Sequence, residues 1–242
     1  MMPKPSLTQG SSDSSSARAW DERYRNAHSS EVRTLWTRTP SRDLIAAVSG
    51  LAPGTALDIA TGDGRNAIWL AQQGWKTTAV DFSAEALAIA AEHQESANVS
   101  IAWMHADVAS WSPTEQFNLI TMTYLHLTSE DNRKMIRRAG TWLAPGGTLV
   151  VIGHDVANLA AGGHGPKNPD VLYTPDLMRT AAASLEVLRA ETVRRDPLHD
   201  PETPDDTSVA AADTVLVARA SNRGNIKPKQ RAVVTNGGDG GN

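Results

Sequence analysis

Through the middle of the chain, short apolar runs alternate with stretches of helical periodicity. Residues 55–60, Thr-Ala-Leu-Asp-Ile-Ala, read as a buried strand. Residues 66–73 follow, with Ala67, Ile68, Leu70 and Ala71 at helical spacing and Gly74 placed to end the helix. Residues 76–80 form a second strand. Ser83 then stands where a hydroxyl can cap a helix through Ala84, Leu87, Ala88 and Ala91. Residues 99–104 and 117–123 predict a third and a fourth strand. Ser129-Glu130-Asp131 opens a helix through Met135, Ile136 and Trp142. Pro145-Gly146-Gly147 predicts a sharp turn into a fifth strand at 148–152.

The pattern then changes. Thr174-Pro175-Asp176 starts a helix, proline being well tolerated at a first helical position. Residues 185–193 and 213–218 read as two strands with no helix between them. The loop joining them carries Pro197, Pro201 and Pro204, so this pair is expected to be antiparallel. The expected architecture is α/β: a doubly wound seven-stranded sheet, mostly parallel, with an antiparallel C-terminal hairpin strand.

Composition sets the boundaries. Residues 1–17 are polar and Ser-rich, and residues 222–242 end in Gly237-Gly238-Asp239-Gly240-Gly241; neither can offset its ordering entropy by burial. One domain over 18–221 is expected between these tails. The net charge is −4 with no Lys/Arg block, so nucleic-acid binding has no compositional support. There are no cysteines, which removes disulfides, thiolate metal ligands and thiol nucleophiles together. No metal-ligand spacing is present. The N-terminus has no apolar leader core, and no window reaches the ~18 consecutive apolar residues of a membrane span. A cytoplasmic protein is expected; its oligomeric state is not legible.

The candidate chemistry sits at successive strand ends. Asp58-Ile-Ala60-Thr61-Gly62-Asp-Gly64-Arg65-Asn66 occupies the first strand-to-helix turn, where open α/β sheets bind ligands. Gly62 and Gly64 permit a tight turn and a close ligand approach. The helix beyond them offers free N–H groups. Asp81 ends the second strand, where a carboxylate can accept from both ribose hydroxyls. Asp107 and Val108 follow the third, where a carboxylate can accept an adenine amine and an apolar neighbour can cover the ring. Together they point to an adenosine-type cofactor.

Gly62-x-Gly64-x-x-Ala67 also fits the dinucleotide fingerprint, so an NAD-linked oxidoreductase is the competing reading. Asp58 would repel a pyrophosphate but would suit the ammonium of a methionine moiety. No tyrosine is followed four residues later by lysine; Tyr24, Tyr124 and Tyr173 precede His28, Thr128 and Leu177 at that spacing. The closing hairpin does not match the second half of a dinucleotide fold.

The run 57–83, with Gly-Asp-Gly-Arg-Asn-Ala and Ala-Val-Asp-Phe-Ser, resembles class I S-adenosylmethionine-dependent methyltransferases. It is most similar to the tellurite-resistance and thiopurine-type branch. Tyr124-Leu-His126-Leu, Leu143-Ala-Pro-Gly-Gly and Val151-Ile-Gly-His154-Asp155 fit a bacterial small-molecule group of the same family. The resemblance implies a Rossmann-like fold and S-adenosyl-L-methionine as methyl donor. It implies that Asp58, Ala60, Thr61, Gly62 and Gly64 line the methionine and ribose portions, with Arg65, Asn66 and Thr123 in the same site. Asp81 and Phe82 would hold the ribose and flank the adenine, and Asp107 and Val108 would bind the adenine. Trp20, Tyr24 and Trp36 are candidates for a lid over the donor, against the plainer reading that aromatics on an N-terminal helix pack. The chain departs from the family at Ala60, usually glycine, and at Thr61, often cysteine. The alanine is expected to be tolerated because Gly62 and Gly64 remain, with weaker donor binding as its cost, and a non-catalytic donor-binding module is a third reading.

The acceptor should enter beside the fourth and fifth strand ends. Tyr124, His126 and His154 are therefore the substrate-side catalytic candidates. The Asn/Asp-Pro-Pro-aromatic motif of exocyclic-amine methylation is absent; residues 121–124 read Thr-Met-Thr-Tyr. A small acceptor is expected: a thiol, a chalcogen oxyanion, a hydroxyl or a carboxylate. The Gly- and Pro-rich loop 157–170 borders that site, as a lid or as a plain surface loop.

Overall fold

The computed structural model describes residues 15–28, 39–161, 165–195 and 211–222. In chain order the helices are α1 (Ser15–His28), α2 (Arg42–Val48), α3 (Arg65–Gln72), α4 (Ala84–Ala97), α5 (Ser129–Thr141), α6 (Ala157–Ala161) and α7 (Pro175–Ala181). A 3-10 turn, Pro169–Val171, precedes α7. The strands are β1 (Thr55–Ile59), β2 (Lys76–Asp81), β3 (Ile101–His105), β4 (Phe117–Thr123), β5 (Leu143–His154), β6 (Glu186–Arg194) and β7 (Ala212–Arg219).

The seven strands form one sheet in the order β3-β2-β1-β4-β5-β7-β6. The first five are parallel, and β7 inserts between β5 and β6, antiparallel to both. This is the expected doubly wound, mostly parallel sheet. Strand order reverses beside β1, which creates a crevice at the carboxyl ends of β1 and β4.

Alternation along the strands explains the two layers of helices. Leu57 and Ile59 of β1, Ile120 and Met122 of β4, and Leu149 and Val151 of β5 join α5 and α7 residues such as Met135, Ile136 and Met178 in one core. Ala56, Leu119, Val150, Ile152, Val215 and Val217 face the other way and pack with Leu44 and Val48 of α2 and Leu70 of α3. A period of two lets β1, β4, β5 and β7 feed both cores, so the middle of the sheet is covered on both faces, while the edge strand β6 stays largely exposed. Ala67, Ala79, Leu87, Ala90 and Trp103 close the β2–β3 side beneath α4.

Several expectations are corrected. Pro145-Gly146-Gly147 is a bend inside β5 rather than a turn before it: Gly146 takes φ +74°, and pairing with β4 shifts register between Phe117 and Leu119. The sequence pattern gave no sign of α2, α6 or the 3-10 turn, all too short for clear periodicity. The helix opening at Ser129 is capped by Thr128, whose hydroxyl accepts from the Asp131 N–H. α1 begins at Ser15, inside the segment expected to be disordered, because α1 packs on α4 and Ala17 is buried. The rest of that segment, residues 223–242, Trp36, residues 162–164 of the 157–170 loop and the Pro197–Pro201–Pro204 loop lie outside the described residues.

Candidate functional site

The first strand-to-helix turn is built from three left-handed residues. Ala60, Gly62 and Gly64 have φ of +55°, +58° and +82°. Glycine adopts this region freely, whereas an L-residue is held there at a cost of roughly 1–2 kcal/mol. Ala60 is thus a strained position. The Thr61 N–H donates to the Val80 carbonyl at 3.1 Å and Gly64 N–H to the Thr61 carbonyl at 3.1 Å, closing the turn against β2. A Cβ on Gly62 would stand 2.6 Å from the Tyr24 hydroxyl, and one on Gly64 would stand 2.7 Å from the Trp103 ring. Both glycines are required by contact as well as by conformation.

Asp58 lies beneath the turn, fully buried, on β1. Thr61 Oγ1 donates to its Oδ2 at 2.6 Å, and Thr121 Oγ1 donates to its Oδ1 at 2.6 Å. Thr121 is the register partner of Asp58 on β4. Burial pushes the Asp58 carboxyl up to about 6, while the two threonines and the nearby Arg65 charge pull the other way.

Asp81 closes the crevice from β2. Its Oδ2 accepts the Gly62 N–H at 2.8 Å, and its Oδ1 accepts the Ser83 N–H at 2.9 Å. Burial raises it also to about 6 against those backbone donors. Each oxygen keeps a second lone pair, so the carboxylate can hold the turn and still accept from a ligand. His105 Nε2 donates to the Phe82 carbonyl at 3.0 Å, which ties the ends of β2 and β3 together. Asp107, half-buried, accepts the Ala109 N–H at 2.8 Å, and Val108 is buried beside it. Asn66 Nδ2 donates to Thr123 Oγ1 at 2.8 Å, joining the start of α3 to the end of β4. The Asn66 Oδ1 is buried without a partner.

α1 covers this edge. Tyr24 is buried against Gly62, and Trp20 packs on Tyr24, with Ala86 and Ile89 of α4 completing the cluster. Sequence reasoning missed the residue that docks the helix. Asp21 Oδ1 accepts from the Ser83 hydroxyl at 2.6 Å and from the Glu85 N–H at 3.3 Å, while Ser83 Oγ itself accepts from Ala86 N–H at 3.1 Å. Only the Ser83 cap was visible in the sequence.

The substrate-side candidates form a second group. Tyr124, at φ +54°, follows β4. Its ring centroid is 4.9 Å from that of His154, and the His126 and His154 rings stack at 5.3 Å. The Arg65 guanidinium lies 5.7 Å from the Tyr124 ring, linking this group to the glycine turn. Burial, followed by His154 and Arg23, lowers His126 to about 4, so its ring is neutral near pH 7. Gly165 lies against this group: a Cβ on it would meet the His154 ring at 2.9 Å. Asp155 is committed to structure, accepting from Thr192, Thr214 and the Ala157 N–H at 2.6–2.8 Å. Sequence reasoning missed Asp213 as well, whose carboxylate accepts from the Tyr124 hydroxyl at 2.8 Å. No local signal could have found it, since it stands 89 residues away. Among the described residues no three His, Cys, Asp or Glu side chains are grouped as a metal site would need. Among them too, no helix is long and apolar enough to cross a membrane.

Residues 56–147, from β1 to the bend in β5, match the family model for a methyltransferase domain. An uncharacterised methyltransferase of Mycobacterium tuberculosis is 34 % identical over 110 residues, covering 45 % of this chain and 55 % of that protein. The chain thus spans about half the length of the curated relatives it matches. Among solved structures, one described as converting a disulfide into a thioacetal during echinomycin biosynthesis aligns with a TM-score of 0.65 at 17 % identity, over 87 % of this chain and 94 % of that one. The N-methyltransferase NodS of Bradyrhizobium japonicum, solved with S-adenosyl-L-homocysteine, aligns with a TM-score of 0.62 at 19 % identity, over 83 % and 98 %. The likeness to these structures extends the shared fold well beyond the matched family segment.

Proposed function

We propose that this protein is an S-adenosylmethionine-dependent methyltransferase that acts on a small acceptor. The observation that carries the reading is the closed glycine turn, with Asp58 at its root and Asp81 accepting its Gly62 N–H. The matched family segment contains that whole turn together with Asp81 and Asp107. We take 18–221, extended by α1 to Ser15, as the catalytic unit.

The residues fit the donor. Gly62 and Gly64 keep the turn free of side chains, and the unpartnered Asn66 Oδ1 offers an acceptor at its far side. Asp58, Ala60, Thr61, Gly62, Gly64, Arg65, Asn66 and Thr123 would hold the methionine portion. Asp81 and Phe82 would hold the ribose, with Asp107 and Val108 at the adenine. Bound there, the donor supplies a sulfonium-activated methyl group. The two acidic residues suit its positive charge, whereas a buried carboxylate under the turn disfavours the pyrophosphate of NAD.

What the chain itself does is align and exclude. Tyr24 and α1 cover the turn, and Tyr124, His126 and His154 border the acceptor end, with Gly165 against His154. An in-line displacement depends mainly on such positioning and on removal of water. The preference for a small acceptor rests on the sequence, which carries no Lys/Arg block and no Asn/Asp-Pro-Pro-aromatic motif after β4.

Calorimetry with S-adenosylmethionine, S-adenosylhomocysteine and NADH tests the class. The first two should bind and NADH should not; saturable NADH binding alone would replace this reading with the oxidoreductase. Asp81→Ala should weaken donor binding at least about ten-fold, two ribose hydrogen bonds being lost. Unchanged affinity would remove Asp81 from the ribose site. Release of S-adenosylhomocysteine with a panel of thiols and tellurite separates an enzyme from a binding module.

A further inference from the structure

Two buried polar atoms without a hydrogen-bond partner fall in one place: His154 Nδ1 and Asp213 Oδ1. They face one another. His154 Nδ1 is 3.4 Å from Asp213 Oδ1, and Arg195 Nε is 3.1 Å from Asp213 Oδ2. His154 and Asp213 are register partners on β5 and β7, so the sheet itself sets their approach. Asp213 is 2 % exposed and the His154 side chain 14 %. The Tyr124 hydroxyl donates to the same carboxylate at 2.8 Å, holding the left-handed backbone that follows β4. Buried atoms left this close to pairing are costly unless they pair. Catalytic hydrogen bonds are commonly long in ligand-free enzymes and tighten when the site fills.

From this juxtaposition we propose that Asp213 is a positioning residue that fixes His154 with its proton on Nδ1, leaving Nε2 as a proton acceptor at the acceptor end of the cleft. The inference rests on the methyltransferase reading for its meaning, and it narrows the acceptor to a weakly acidic O–H or S–H group. The acceptor oxygen or sulfur forms the new bond to the methyl carbon. The carbon–sulfonium bond breaks, its electron pair remaining on sulfur to give a neutral thioether. The acceptor proton moves to His154 Nε2, and the imidazolium so formed faces the Asp213 carboxylate. His126, neutral and stacked on His154, adds no competing charge.

Histidine-selective ¹⁵N NMR on the full chain near pH 8 tests the geometry directly. In the wild-type protein His154 should be predominantly the Nδ1–H tautomer. A predominantly Nε2–H ring would overturn the proposal without any variant. In Asp213→Asn the single tautomer should give way to a mixture; retention of the wild-type pattern would also overturn it, because Asp213 would then not be the orienting group. Asp213→Asn should leave the affinity for S-adenosylmethionine within about two-fold of wild type. Failure of the wild-type protein to bind that donor would count against the methyltransferase reading alone, leaving the tautomer result to stand or fall separately.

Discussion

At the scale of single residues, the glycine turn holds a side chain that sits uncomfortably. Ala60 occupies a left-handed conformation that glycine would adopt without strain. Releasing it to glycine removes a penalty of roughly 1–2 kcal/mol, offset by the ~0.5–1 kcal/mol that glycine loses through its freer unfolded chain. Ala60→Gly should therefore raise the melting temperature by about 1–4 °C, read by differential scanning calorimetry. A lowered melting temperature would mean that the alanine methyl makes a packing contribution that outweighs its strain. Gly62 allows no such latitude, since its missing Cβ is the space that the Tyr24 hydroxyl occupies. The glycine pattern of this turn is local, so it was readable; the contact with Tyr24, 38 positions earlier in the numbering, was not.

At the scale of elements, α1 is the piece that the crevice borrows from outside the sheet. Its attachment is concentrated at the first turn of α4. Asp21 accepts from Ser83 and Glu85 there, and the Arg25–Glu85 ion pair at 2.8 Å is too exposed to add much. Asp21→Ala should free α1 at a cost of about 1 kcal/mol. Amide hydrogen exchange over residues 15–28 should accelerate, and donor affinity should fall while the rest of the sheet keeps its protection. Unchanged exchange over 15–28 would show that the Trp20–Tyr24 packing alone holds the helix. The serine cap was legible because capping follows from neighbouring residues. Its second partner was not, because a polar residue on an amphipathic helix carries no mark of what it will meet. The same holds for β5, where Pro145-Gly146-Gly147 reads as a turn until pairing with β4 absorbs it as a bend.

At the scale of the whole molecule, two buried carboxylates meet under one crevice, and their titration enters the global stability. Asp58 and Asp81 are both raised to about 6 from an ordinary value near 4. The folded state therefore binds their protons more tightly than the unfolded chain does. Their contribution favours folding below about pH 4 and is lost as pH rises through about 6. A cationic donor should counter this by favouring the ionised forms. S-adenosylmethionine affinity should then drop between pH 7 and pH 5, with proton release on binding near pH 6, both measurable by calorimetry in buffers of different ionisation enthalpy. A flat affinity across that range would mean that neither carboxylate senses the donor charge. The sequence by itself determined the alternation of strands and helices, the glycine turn and the acidic strand ends, because periodicity and backbone freedom act over a few neighbouring residues. Only the tertiary structure decided that Asp21 would clamp α1, that Thr121 would satisfy Asp58, and that β7 would bring Asp213 to His154. Those partners are joined by strand register and helix docking across 59 to 89 residues, and long-range pairing leaves no local trace in the chain.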